Sequence, residues 1–261
     1  MGTYLENETN IHEEHRESDL QITPALTFAV SNDNLPLYLK VEAENRMAGD
    51  YYFDELDYQS GHTVRQKIML GGTFGLGKVS FNPEYELRIN TPARGDYLDS
   101  NMENRFKMNF GIPLGSQLTY INLMPTFKVN ANQDNNFYSE TEIGYKHNFN
   151  NNQSAAVGIY NEFEKKDELN AVEFQARLYY NHKFDNGISL NPFARIGLYR
   201  HVISEGESAQ DLRRDRVGIK TSYNADNGLS PYTEMWYQNT NIAEDKNRHT
   251  ILWKVGVSYS F

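Results

Sequence analysis

Polar and apolar residues alternate along most of this chain. In "VEFQARLYYNHKF", Val172, Phe174, Ala176, Leu178, Tyr180 and Phe184 share one face, while Glu173, Gln175, Arg177, Tyr179 and Asn181 share the other. "NRFKMNFGIPL" sets Phe106, Met108, Phe110, Ile112 and Leu114 against Arg105, Lys107 and Asn109. "KVSFNPEYELRI" sets Val79, Phe81, Tyr85, Leu87 and Ile89 against Asn82, Glu84, Glu86 and Arg88. The chain ends on the same pattern, with Ile251, Trp253, Val255, Val257, Tyr259 and Phe261 on one side. A period of two is that of a β-strand with one dry and one wet face, and no long apolar stripe of helical period competes with it.

Short Asn/Gly/Asp clusters divide these strands: "SNDN" (31–34), "GLGK" (75–78), "LGSQ" (114–117), "NNNQ" (150–153), "DNG" (185–187) and "ADNG" (225–228). Such clusters are hairpin turns, and their spacing of about 35 to 45 residues is two long strands plus a loop. Between them lie looser polar segments such as "MAGDYYFDELDYQSGH", "NTPARGDYLDSN" and "SEGESAQD". Tight turns at one end and longer loops at the other describe an up-and-down antiparallel sheet. Six hairpin units give twelve strands, and "SDLQITPALTFAV" is a thirteenth. A strand near "GTYLENET" brings the count to about fourteen and both ends to the tight-turn rim.

A soluble sandwich also alternates. Three features favour a transmembrane antiparallel β-barrel with short periplasmic turns and longer extracellular loops, residues 1–261 forming one such domain. The strands run about 12 to 15 residues, where soluble strands average about 5 to 6. Aromatics close the apolar face beside the tight turns: Phe28, Phe74, Phe149, Phe184, Tyr223 and Phe261. A membrane barrel needs such a girdle at the lipid boundary, with short turns on one side and longer loops on the other. Pro24, Pro83, Pro125, Pro192 and Pro231 fall inside predicted strands and read as bulges towards the tight-turn rim.

Composition adjusts this picture without changing it. The mean hydropathy of −0.70 suits a wall in which only every second strand residue meets lipid. With 25 Lys+Arg against 35 Asp+Glu the chain is acidic and carries no basic cluster for nucleic acid. It has no cysteine, so disulfides, thiol nucleophiles and Cys-ligated metals are excluded. No cofactor is expected. The start "MGTYLENETN" has no export signal, which fits a cytoplasmic chain or a mature outer-membrane sequence with an added Met; the barrel reading selects the second.

On the inward parity, Arg177, Arg195, Arg214, Arg216 and Lys220 form a basic arc, continued by Lys254, Lys40, Arg65 and Lys67. Glu140, Glu142, Glu162, Glu164 and Glu173 form an acidic one, and Glu84, Glu86 and Glu234 also point inward. Ionised groups along nearly every strand would be ruinous in a dry core and suit a watered lumen. The expected function is a passive, water-filled outer-membrane channel for small hydrophilic solutes, sugars or oligosaccharides and ions, with lipid and lipopolysaccharide outside and a monomeric state. Rim-site hydrolysis and adhesion are the alternatives. "IHEEH" has metal-like spacing but falls in an acidic loop. His147 and His182 take the lipid-facing parity, His201 is the best lumen candidate without a paired nucleophile, and Arg94–Gly95–Asp96 is an adhesion-type tripeptide.

"NPFARIGLYR", "RDRVGIKTSYNADNGLS" and the terminal "KVGVSYSF", with "SETEIGYKHNFN", resemble the outer membrane protein G type of monomeric, fourteen-stranded porin. "NIHEEHRESDLQITPAL" resembles the oligogalacturonate- and sialic-acid-specific monomeric porins. The resemblance implies a monomeric channel for sugars and ions. The porin G pattern has two facing histidines read as a pH-sensitive gate. Their positions here are Leu212 and Ile251, with His249 nearby and no evident partner.

Overall fold

The computed structural model describes residues 2–11, 16–32, 35–52, 55–57, 63–92, 100–131, 135–166, 169–204, 207–210, 213–225, 227–243 and 246–259. Its fourteen long strands are β1 (Gly2–Ile11), β2 (Arg16–Asn32), β3 (Leu35–Tyr52), β4 (Thr63–Gly72), β5 (Val79–Pro92), β6 (Asn101–Leu114) and β7 (Gln117–Asn130), then β8 (Asn135–Asn148), β9 (Gln153–Lys165), β10 (Leu169–Lys183), β11 (Ile188–Ser204), β12 (Arg214–Tyr223), β13 (Leu229–Ala243) and β14 (Lys246–Tyr259). Three short segments lengthen the hairpins. Glu55–Asp57 pairs with β3, Phe74–Leu76 with β5, and Glu207–Gln210 with β11.

Each strand pairs antiparallel with its chain neighbour, and β1 pairs with both β2 and β14, Gly2 lying opposite Ala25 and Ser258. The sheet therefore closes on itself. Closure gives every strand two partners and leaves no edge of unpaired backbone groups, the condition for crossing lipid with strands. The weakly patterned first segment is held in register over its whole length. Eleven of the fourteen strands run 13 to 18 residues, beyond the roughly 9 to 11 that span the hydrocarbon, so on those strands the sheet continues beyond the apolar belt. Segments that read as loops are partly strand: Ala243 already pairs with Lys246.

The described tight turns are where the sequence puts them; residues 33 and 34 of "SNDN" and residue 226 of "ADNG" lie outside the described residues. Gly77 and Gly115 adopt φ of 65° and 66°, a region that only a residue without Cβ enters at little cost. Next to these turns Phe28, Phe149, Phe184 and Tyr223 stand exposed on the outer face, and Phe74 joins Phe81 and Phe110 in a row of rings. Phe261 lies outside the described residues. A second row, Tyr85, Phe106, Phe127, Phe137 and Phe163, crosses five strands with centroids 5.1–6.4 Å apart. Leu178, Ile196 and Val255 also face outward and are exposed, as a lipid-facing belt requires.

The prolines are not bulges. Pro83 pairs with Met108, Pro192 with Ile219 and Pro231 with Val257 without a register change, and the ladder resumes unshifted past Pro24 and Pro125. Losing one N–H costs one bond, not a register, when the ring turns outward. The register shifts instead at Ser31/Asn32, Asn241/Ala243 and, most consequentially, in β11. There Phe174 pairs with Tyr199 and Gln175 with Gly197, leaving Leu198 extra. The Gly197 N–H donates to Asp215 Oδ1 at 2.8 Å. Beyond this bulge the parity of β11 inverts.

Candidate functional site

Unshifted pairing lines up the inner-face residues in rows around the wall. One row runs Tyr120, Gly144, Gly158, Arg177, Arg195, Arg216, Gln238 and Thr250 across β7 to β14. Towards the tight turns the next row is Lys146, Ala156, Tyr179, Phe193, Gly218, Trp236 and Leu252. Towards the loops stands an acidic row in which Glu140 faces Glu162 and Glu162 faces Glu173, followed by Arg200. The lumen wall is thus layered: apolar, then basic, then acidic.

The apolar layer is the inner wall's packed cluster, with Phe193, Trp236 and Leu252 buried and Tyr179 against them. Gly218 makes it possible. A Cβ there would lie 2.6 Å from both Phe193 Cζ and Trp236 Cβ. A related fit recurs three times, with Tyr38, Tyr120 and Tyr232 lying flat over the opposite Gly71, Gly144 and Gly256. Rings laid along the wall over glycines leave the lumen open.

Cations in the basic layer differ in what they touch. Arg177 Nη1 donates to Glu142 at 3.1 Å and Nε to Gln175 at 3.1 Å, and its guanidinium sits 3.2 Å above the Tyr160 ring. Glu142 also accepts from Tyr120 (2.8 Å) and Tyr179 (3.1 Å). Arg216 donates to Gln238 Oε1 at 2.6 and 3.0 Å and lies 4.0 Å over Trp236. Arg214 and Arg200 both pair with the buried Glu173, the latter at 3.4 Å, and Arg214 lies 3.5 Å from Glu162. Lys220 pairs with Glu234 (3.1 Å) and Lys254 with Glu6 (2.9 Å).

The far side of the barrel is built differently from the expected basic continuation. Lys67 Nζ bridges Glu42 and Glu44 at 2.6 Å each, and Arg65 lies 3.5 Å from Glu44. Lys107 bridges Glu84 and Glu86 at 2.6 Å, while Arg88 reaches Glu86 at 2.7 Å and Glu103 at 3.2 Å. This half is an alternating ladder of opposite charges. Arg65 and Lys67 are spent on it; Lys40 lies opposite Met69, and Glu164 opposite Tyr138 and Ala171. Charge segregation is confined to the wall from β8 to β12.

Parity alone misplaced one histidine, His201. Past the bulge His201 turns outward and stacks on Tyr199 at 6.3 Å, and Arg200 takes the inner place. His249 faces outward too and has a partner, Tyr237 Oη, 2.7 Å from Nδ1. Ile251 is on the outer face and Leu212 lies outside the described residues, as do His12, His15, His62 and Arg94–Gly95–Asp96. His147 and His182 stand on the outer face against Phe149 and Phe184. Inner-face Trp236, Phe193 and Tyr160 escaped the sequence reading because an isolated ring on a polar parity gives no warning.

Two spaces adjoin the layers. One, about 600 Å³, lies towards the tight turns between Tyr120, Glu142, Tyr179, Phe193, Arg195 and Lys220. The other, about 270 Å³, lies towards the loops among Tyr138, Glu140, Tyr160, Glu162 and Arg177, Arg195, Arg214 and Arg216.

A closed up-and-down barrel with an apolar, ring-studded outer belt and an ionised inner wall is the architecture of bacterial outer-membrane channel barrels. No protein-family model matches the chain. Over 135 residues it is 33% identical to "Outer membrane porin G" of Escherichia coli (strain K12), a stretch that is 47% of this chain and 43% of that porin. Its fold is similar to a "bacterial polysaccharide outer membrane secretin" (TM-score 0.61, 8% identity, 100% of this chain and 98% of that one). It is similar also to the Pseudomonas putida toluene transporter TodX (TM-score 0.56, 10% identity, 100% and 88%). At such identities these two likenesses concern the fold alone.

Proposed function

We propose that the chain is an outer-membrane porin, a passive water-filled channel for small hydrophilic solutes such as sugars and ions. The observation that carries this reading is the inner wall, ionised on strands all round a closed barrel and flanking spaces of about 600 and 270 Å³. Fixed charges in such number are stable beside water and costly in a dry core. The partial identity to a porin supports the same reading. An apolar-solute channel would have a continuous greasy path, but the apolar inner residues form one layer between ionised ones. In this reading lipid and lipopolysaccharide surround the outer belt, and one chain suffices for the pore because its own strands complete the wall.

Liposomes containing the refolded protein should swell in isotonic solutions of small neutral sugars, at rates falling with sugar size. Because most wall charges are paired, selectivity between potassium and chloride in a planar bilayer should be weak. A bilayer that stayed insulating, together with liposomes that took up no monosaccharide, would remove the channel reading.

A further inference from the structure

The register puts three guanidiniums side by side: Arg177 opposite Arg195, and Arg195 opposite Arg216. Like charges directly opposite on neighbouring strands repel, so each needs compensation. The outer two have it, Arg177 from Glu142, Gln175 and the Tyr160 ring, Arg216 from Gln238 and the Trp236 ring. The central one does not. Among the described residues Arg195 makes no ion pair, its Nε is buried without a hydrogen-bond partner, and its one recorded ring contact, with Phe193, is 5.5 Å long. The Nε atoms of Arg46, Arg105 and Arg248 are orphaned in the same way; what sets Arg195 apart is its place at the centre of a row of three guanidiniums between two lumen spaces.

Arg195 also has a singular position. It lines both the 600 Å³ space and the 270 Å³ recess, and among the described residues no other lines both. A solute passing from one to the other meets its guanidinium. The recess is lined by four arginines and by Glu140 and Glu162; Arg177 and Arg214 are also neutralised by Glu142 and Glu173, and among the described residues Arg195 alone of the four has neither an ion pair nor a hydrogen bond. Glu162 is 3.5 Å from Arg214, and Glu140 accepts from Tyr138 at 2.8 Å. A planar guanidinium fork with free donors matches the oxygens of a carboxylate or phosphate.

We propose that Arg195 is the anchor of an oxyanion-binding site at the junction of the two lumen spaces, taking a carboxylate or phosphate group of a permeating solute. This rests on the channel reading and names the residue that gives the channel a preference. Arg177 and Arg216 flank the site, but their own donors are largely engaged.

The test uses the whole protein in a planar bilayer at fixed pH and ionic strength, with inorganic phosphate or acetate replacing part of the chloride. Wild-type current should fall saturably with phosphate, and with acetate if carboxylates share the site. In Arg195→Gln the half-blocking concentration should rise at least tenfold. Arg195→Lys keeps the charge but loses the fork, so it should fall between. A general wall potential would give a block that grows without saturating. If Arg195→Gln kept the wild-type half-blocking concentration, or wild type conducted without any saturable block, the site would be refuted while the channel stood. Line broadening of phosphate in phosphorus NMR with detergent-solubilised protein reads the site without current; no broadening by wild type would exclude it even if nothing conducts. Removing the centre of a repelling row should not impair folding. Should Arg195→Gln fail to fold, Arg195→Lys decides with the same two readouts, and wild-type values for it would overturn the proposal.

Discussion

Arginine in place of Val255 should destabilise the folded barrel by about 2–4 kcal/mol, the cost of a cation on the lipid face near the bilayer midplane. Val255 is half exposed on the outer face, between Leu5 of β1 and Thr233 of β13, in the run Ile251, Trp253, Val255, Val257. Its depth is central to that run, so an arginine there has the furthest to reach for water. The same change at Tyr259, at the tight-turn rim, should cost about 0–1 kcal/mol, because near the interface the side chain finds headgroups. Denaturant unfolding in lipid, followed by the shift in gel migration between unboiled and boiled samples, measures both. Equal stabilities for the two variants would mean that Val255 is not in the apolar belt.

What could be read from the sequence follows from what β-structure repeats. Face assignment needs only a period of two, so Phe174, Leu178 and Val255 were legible as outward and Glu173, Arg177 and Arg195 as inward. Turn positions were legible because Gly77 and Gly115 need a backbone that few residues tolerate. Register was not legible, since pairing depends on where every hairpin closes. Without it, nothing in "KVEAE" and "RQKIM" says that Lys67 lies between Glu42 and Glu44, and so a basic arc was expected where the wall is neutralised. Nor does parity survive a bulge. The extra residue at Leu198 exchanged Arg200 for His201 on the inner face, and one inserted residue leaves no mark on an alternating pattern that is already irregular. Partners found across strands, such as Arg200 and Arg214 on Glu173, therefore emerge only from the closed sheet.

Those partners make the second large effect. Glu173 is 2% exposed and stands opposite Glu162, which in turn stands opposite Glu140, so three carboxylates adjoin across β8, β9 and β10. Arg214 and Arg200 hold Glu173, and Gln175 donates to it at 2.5 Å. Changing both arginines to glutamine leaves a buried carboxylate with amide donors only. Stripping a buried ion of its partner costs about 3–5 kcal/mol in a dry interior, and water in the lumen should hold the loss near the lower bound, about 3 kcal/mol. Either single change should cost less than half as much, because the other guanidinium remains. Adding Glu173→Gln to the double variant should recover most of the loss, since a neutral trio has no uncompensated charge to bury. The triple variant thereby separates charge pairing from simple packing: if three glutamines were no more stable than the two-arginine deletion, the contribution of Arg200 and Arg214 would be their bulk against the wall. Unfolding midpoints of the five proteins, wild type included, measured under one set of lipid conditions, give the coupling directly. Recovery on neutralising Glu173 would identify the acidic layer as something the barrel tolerates only because β11 and β12 bring two cations to it.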